Sequence, residues 1–219
     1  NRGIGGEHLN ILQTVDALMV VARGFDDVAV ATMNETIDPC RDLENMLMEL
    51  IISDIEILDR RITKIDESGK GANPREKELL RNEHKLLVRL KQGLNDGISL
   101  RDQDLSPGDI RHISNFGFLS AKPLILVVNI NEDDLTDDMD WEIQIENFAS
   151  GPDVGFAVIS ADLEMGLAQL DSQEESQFRE ALGAGESSLN RMVRISYEVV
   201  GQISFFTVGA DEVRAWEVR

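Results

Sequence analysis

The stretch LILVVNINEDD, Leu124 to Asp134, decides the fold. Its first five residues are apolar without alternation, the pattern of a strand covered on both faces, as in the middle of a parallel sheet. The run stops at Asn129, places Glu132 three residues later and continues into acid. Two further runs of the same character flank it: ALMVVA (Ala17 to Ala22), read as apolar on both faces and central, and GFAVIS (Gly155 to Ser160). Helical patterns fall around them. HLNILQT precedes the first strand, and MDWEIQIENFAS lies between the second and third. DSQEESQFREALG carries Asp171 as cap and Gly183 as stop, and SSLNRMVRISYEVVG shows Leu189, Met192, Val193, Tyr197 and Val200 as one apolar face. Strands alternating with helices give an α/β fold with a parallel sheet.

Between Asp38 and about Ile113 the alternation breaks. Asp38-Pro39 opens a helix in which Ile51, Ile55, Leu58, Ile62 and Ile65 recur at steps of four and three, a heptad seam. ESGKGAN punctuates, and Asn73-Pro74 starts a second long helix with Leu79, Leu86 and Leu90 as its stripe; a short third helix follows Ser106-Pro107. Two long helices about a Gly-rich turn predict an antiparallel helical hairpin inserted into the α/β sheet. The C-terminal GQISFFTVGADEVRAWEVR reads as two short strands around Gly209-Ala210-Asp211. An isolated hairpin of that kind is marginal in water.

Composition narrows the functions. The 219 residues are 42% hydrophobic, enough for a packed core, and carry a formal net charge of −20. That average field repels nucleic acid, and DNA is not an expected partner. No run of about 18 apolar residues offers a membrane span, and the opening residues are not expected to be a signal peptide. The single cysteine, Cys40, cannot form an internal disulfide and fits a reducing, cytoplasmic setting. His8, His84 and His112 are scattered, and no His/Cys/Asp spacing suggests a metal. A chain that opens on Asn1 is expected to belong to a longer protein.

The carboxyl ends of parallel strands are where such sheets bind ligands, and Asn129 and Ser160 stand at two of them. An Asn there bridges loop and base, an acid three residues on accepts hydrogen bonds from base amino groups, and a Ser-Ala turn offers backbone N–H donors. Asn129, Ile130, Glu132, Ser160 and Ala161 are therefore the candidate base-binding residues. GTPases write the first element Asn-Lys-x-Asp. Here Ile130 replaces the Lys and Glu132 the Asp, which weakens the paired guanine contact, since each charged hydrogen bond is worth roughly 1.5–3 kcal/mol. A strand-ending Asn before a solvated acidic loop is the competing reading, and VISA one strand later brings the two to about equal weight. Neither RGIGG nor SGKGAN satisfies G-x-x-x-x-G-K-[ST], so these residues hold no phosphate loop. From Arg60 to Lys91 ten basic residues stand against five acidic ones, a local excess of five positive charges on an acidic chain. That is either a salt-bridged helix pair or a basic prong for RNA or an acidic partner.

Taken in order, these segments resemble the YchF family of Obg-like ATPases, P-loop NTPases of the translation-factor class, over nearly the whole chain. RGIGGEHL is similar to a Gly-rich segment after the family's second switch, with Gly6 where Asn and His8 where Phe is usual. VDALMVVARGFDD resembles its next strand and loop, DPCRDLE the start of its helical insertion, AKPLILVVNINED its base-reading strand with N-x-x-E, and VISADLE its Ser-Ala loop. GQISFFTVGADEVRAW is similar to the long motif that opens the family's TGS domain. The resemblance implies an incomplete nucleotide-binding domain over 1–37 and 114–200, a helical coiled-coil insertion over 38–113 and the start of a β-grasp TGS domain over 201–219. It implies binding and hydrolysis of ATP, GTP less well, with Mg in the full-length parent, and ribosome association. The phosphate loop, first switch and D-x-A-G segment would lie before Asn1 and most of the TGS domain after Arg219. This chain alone is thus expected to be inactive and to carry the base-recognition half of the site. Lys64, Lys70, Arg75 and Lys77, near the hairpin tip, are the expected contacts to the large ribosomal subunit or its RNA. The competing reading is a non-catalytic acidic adaptor that binds proteins through the hairpin.

Overall fold

The computed structural model describes residues 4, 6–27, 36–68, 73–137, 141, 143–146, 151–209 and 212–218. In chain order the elements are α1 (Gly6–Thr14), β1 (Leu18–Arg23), α2 (Pro39–Ser68), α3 (Pro74–Asn95), α4 (Pro107–Ile113), β2 (Leu124–Asn129), β3 (Val154–Ile159), α5 (Ala161–Leu167), α6 (Ser172–Leu182), α7 (Ser188–Val199), β4 (Ile203–Val208) and β5 (Val213–Val218). They divide into two compact units, residues 1–18 with 44–122, and 19–43 with 123–219.

In the first unit the helix starts are built as the sequence specifies. The Asn73 side chain accepts the Glu76 N–H while Glu76 reaches back to the Asn73 N–H, and Ser106 and Asp109 make the same reciprocal pair. Each box satisfies two N–H groups that a helix start otherwise leaves open, and Pro74 and Pro107 lack one to satisfy. Ile51, Leu58 and Ile65 of α2 are buried with Leu87, Leu90 and Leu94 of α3, and Leu100, Ile113 and Phe118 close the cluster. Asp66 meets His84 near the turn and Asp59 meets Lys91 farther along, so α2 and α3 run antiparallel. Of the expected α3 stripe, Leu90 is buried in the cluster and Leu86 packs against it, but Leu79 is 64% exposed and Leu80 takes its place. The seam runs 80, 87, 90, 94 and passes through Glu83, which holds Arg61 by two hydrogen bonds of 2.6 and 2.9 Å. An acid on the seam hides its heptad phase from an apolar count.

Asp54 is fully buried in this unit. Its Oδ1 accepts the Leu119 N–H at 2.8 Å and its Oδ2 the Ser120 N–H at 2.7 Å. The Ser120 hydroxyl in turn accepts the Leu100 N–H at 3.2 Å. Burial pushes the Asp54 carboxyl above the usual range, opposed by the Ser120 and Leu119 hydrogen bonds and by the Arg101 charge. At the end of α1, Lys122 Nζ donates to the carbonyls of Gln13 (3.0 Å) and Val15 (2.6 Å), groups that a helix end leaves open.

In the second unit three strands stand in the order β1-β2-β3, and β2 pairs with β3 in parallel, Leu124 opposite Val154 through Asn129 opposite Ile159. Leu124 to Val128 are all buried, as the unalternating run requires. β1 departs from expectation. It is an edge strand among the described residues, and Met19 and Val21 are 51% and 59% exposed, so only one of its faces is covered. α7 also uses a different face from the one expected: Met192, Ile195 and Val199 pack on Ile125, Val127 and Ala157, while Leu189 and Val193 are exposed. The cause lies on β3. A Cβ on Gly155 would stand 2.4 Å from Ile195 Cγ2 and 2.8 Å from Val199 Cγ2, so the missing side chain makes the socket that selects these two residues.

Asp171 caps α6 through the N–H groups of Gln173 and Glu174, and Gly183 ends it with φ 67°. Glu164 joins three helices. It accepts from Arg179 at 3.0 and 2.6 Å and from the Ser188 N–H and hydroxyl at 2.9 and 2.8 Å. Chiefly through Arg179, its carboxyl is held at about 2, against an ordinary 4.5. A depressed acid pKa stabilises the fold fully above the unfolded value and loses that contribution as pH falls through the folded one. Glu164→Gln should therefore cost about 2 kcal/mol at pH 7, with the gap from wild type closing between about 4.5 and 2. Urea titrations across that range test this, and a gap independent of pH would refute it.

The last two strands pair antiparallel, Ile203 opposite Val218 through Val208 opposite Val213, and every residue of β4 is exposed. The Trp216 indole donates to the Thr207 hydroxyl at 2.9 Å across the pair. No helix among the described residues is long and apolar enough to cross a membrane. The expected helix over MDWEIQIENFAS falls partly outside the described residues; 141 and 143–146 are helical.

Candidate nucleotide-base site

Three loops leave the carboxyl ends of β1, β2 and β3. The first is seated by Gly24, whose N–H donates to the Asn129 carbonyl at 2.7 Å. A Cβ at Gly24 would meet Val128 Cγ1 at 2.9 Å and Ile130 Cγ2 at 3.0 Å, so a glycine is needed for this approach. The Asn129 side chain then crosses to the third loop: its Oδ1 accepts the Ala161 N–H at 2.9 Å. That N–H belongs to the first turn of α5 and has no carbonyl of its own helix to meet. Ile130 donates its N–H to the Ile159 carbonyl at 2.8 Å and is itself 2% exposed.

A cavity of about 470 Å³ opens at this edge. Phe25, Asp26 and Asp27 line it from the first loop, Asn129, Ile130 and Asn131 from the second, and Asp162 from the third. The apolar wall can pack against a flat ring, and the amide and carboxylates can accept hydrogen bonds from amino groups. The Arg23 guanidinium lies 5.9 Å from the centroid of the Phe25 ring.

Of the residues that the motifs single out, Asn129 and Ile130 line the cavity, and Ala161 holds Asn129 in place. Ser160 is 2% exposed and sits beneath the surface, its hydroxyl unpartnered among the described residues. Glu132 is exposed, starts the 3-10 turn Glu132–Asp137 and is not among the lining residues. Phe25, Asp26, Asp27, Asn131 and Asp162 line the cavity without being singled out by the N-x-x-E or Ser-Ala patterns. The rule that ligands gather at strand carboxyl ends, applied to β1 as well as β2 and β3, points to RGFDD. Among the described residues no three His, Cys, Asp or Glu groups are placed to hold a metal ion. Lys64, Arg75 and Lys77 are exposed on the helical unit, and Lys70 lies outside the described residues.

No protein-family model matches the chain. Individual proteins do. It is 31% identical over 216 residues to the ribosome-binding ATPase YchF of Bacillus subtilis, covering 98% of this chain and 58% of the relative. It is 32% identical over 219 residues to the ribosome-binding ATPase YchF of Mycoplasma genitalium, at 98% and 58% coverage. Obg-like ATPase 1 of Oryza sativa subsp. indica is 30% identical, at 99% and 55%. Among solved structures, that of the Schizosaccharomyces pombe YchF GTPase superposes with a TM-score of 0.84 at 28% identity, covering 99% of this chain and 58% of that one. The chain thus spans somewhat under two thirds of the relatives it matches. In sequence and in fold the chain is similar, almost from end to end, to these members of the YchF family.

Proposed function

We propose that these residues serve a ribosome-associated, cytoplasmic ATPase as its base-reading edge and its ribosome-facing helical arm. In this reading 1–37 with 114–200 belong to the nucleotide-binding domain, 38–113 form a coiled-coil insertion, and 201–219 begin a TGS domain. The observation that carries the base site is the Asn129 bridge to Ala161 at the mouth of the cavity. Fixing that amide by one hydrogen bond pre-orders the β2 and β3 loops, which lowers the entropy cost of binding. Ile130 supplies an apolar wall where a GTPase has Lys, and Glu132, in place of the GTPase Asp, lies outside the cavity lining, so the paired guanine contact is lost. Adenine is therefore the preferred base over guanine, and ATP the preferred nucleotide over GTP. The residues here fit the base; the phosphates and Mg need a G-x-x-x-x-G-K-[ST] loop, which these 219 residues do not contain. These residues by themselves should accordingly turn over no ATP. Lys64, Lys70, Arg75 and Lys77 are the proposed ribosome contacts.

The test is nucleotide binding by the full-length protein. Asn129→Ala should weaken ATP about tenfold, the equivalent of about 1.4 kcal/mol, with unchanged thermal stability of the helical unit. Ile130→Lys together with Glu132→Asp should move selectivity toward GTP. Unchanged ATP affinity in the first variant would overturn the assignment of the site.

A further inference from the structure

At least seven of the 21 cations pair with acids. Arg41, Arg61, Arg89, Lys91, Arg179, Arg194 and Arg214 each pair with a carboxylate. Lys77, Arg81 and Lys85 do not: among the described residues none of the three has an ion pair, although the chain has 41 acids to 21 bases. They stand at i, i+4 and i+8 on α3, one row along one helix face, about 6 Å apart from step to step. The row lines a groove of about 390 Å³ together with the apolar Ile65 and Leu80 and the Asp66–His84 pair, 3.3 Å apart. A cationic row beside apolar side chains is the pattern that receives an amphipathic helix.

We propose that this flank of the α2–α3 hairpin docks an acidic amphipathic helix of a partner protein. Carboxylates at i, i+4 and i+8 of that helix lie along Lys77, Arg81 and Lys85, and an apolar side chain beside them drops onto Ile65 and Leu80. RNA fits the groove less well on two counts. Asp66 lines the groove and repels a continuous polyanion, and a phosphate backbone has nothing to place on apolar side chains. The proposal deepens the reading of the hairpin as ribosome-facing and rests on it for where the partner is met, a ribosomal or ribosome-bound protein.

The full chain is titrated with a labelled helix-forming peptide carrying Glu at three successive i, i+4 positions next to a Leu, and separately with a labelled oligouridylate of equal charge. The peptide should bind. Lys77→Glu with Arg81→Glu should weaken it at least about tenfold, and replacing the peptide's Leu by Ser should weaken it by a similar factor. Arg60→Glu with Arg111→Glu, exposed and outside the groove, should change it by less than about threefold. Binding that survives the groove substitutions, failure of the peptide to bind, or an oligouridylate that displaces it at equal charge each overturns the proposal. Ribosome co-sedimentation of the full-length protein is read in parallel. Peptide binding without co-sedimentation removes the ribosome reading and leaves the groove; co-sedimentation without peptide binding removes the groove alone.

Discussion

Asp54→Ala should destabilise the helical unit by about 3–5 kcal/mol, read as a fall in the urea midpoint followed by circular dichroism. The carboxylate is fully buried and both of its oxygens are in use, one on Leu119 N–H and one on Ser120 N–H. Truncation leaves two buried donors unsatisfied, each costing roughly 1–3 kcal/mol, and opens a small cavity. Asp54→Asn is the sharper variant. It keeps the shape but turns one acceptor into an NH2 group that faces an N–H, so it should fall between wild type and Ala. A loss under about 1 kcal/mol for Ala would show that water or a backbone shift replaces the acceptor.

Gly155→Val should be the most damaging substitution in the second unit, about 3 kcal/mol or more. A branched side chain must enter space held by Ile195 Cγ2 and Val199 Cγ2, and both residues belong to the core beneath α7. Gly155→Ala should cost less, about 1–3 kcal/mol, and here the cause can be isolated. Ile195→Ala removes the methyl that lies 2.4 Å from the added Cβ, so the double variant should lose less than the two single losses combined. Strict additivity would mean that the socket is not the reason for the glycine.

These two residues also mark where the sequence stops being legible. Caps were readable because they act within a few residues: Asp38, Asn73, Ser106, Asp171 and Gly183 mark the helix ends they predict. β2 was readable because a strand covered on both faces needs an unbroken apolar run. The face of α7 was not. Leu189-Met192-Val193 and Met192-Ile195-Val199 are both plausible stripes, and the choice is made by a gap on a strand some forty residues earlier. β1 failed for a related reason, since five apolar residues do not say whether a neighbour covers each face. On the candidate cavity Asn129 and Ile130 followed from position at a strand end, Phe25 would follow from the same rule applied to β1, and Asp162 needed the three loops to be assembled first.

The bond from Gly24 N–H to the Asn129 carbonyl has a consequence for chain entropy. It holds together the two ends of a segment that contains α2, α3 and α4. The entropy cost of closing a loop grows only with the logarithm of its length, about 0.6 kcal/mol for each doubling. Once the ends are fixed, adding or removing whole turns of helix between them changes that cost by a fraction of a kcal/mol. The helical arm can thus lengthen, shorten or exchange its surface charges under selection while the loops around Asn129 keep their closure.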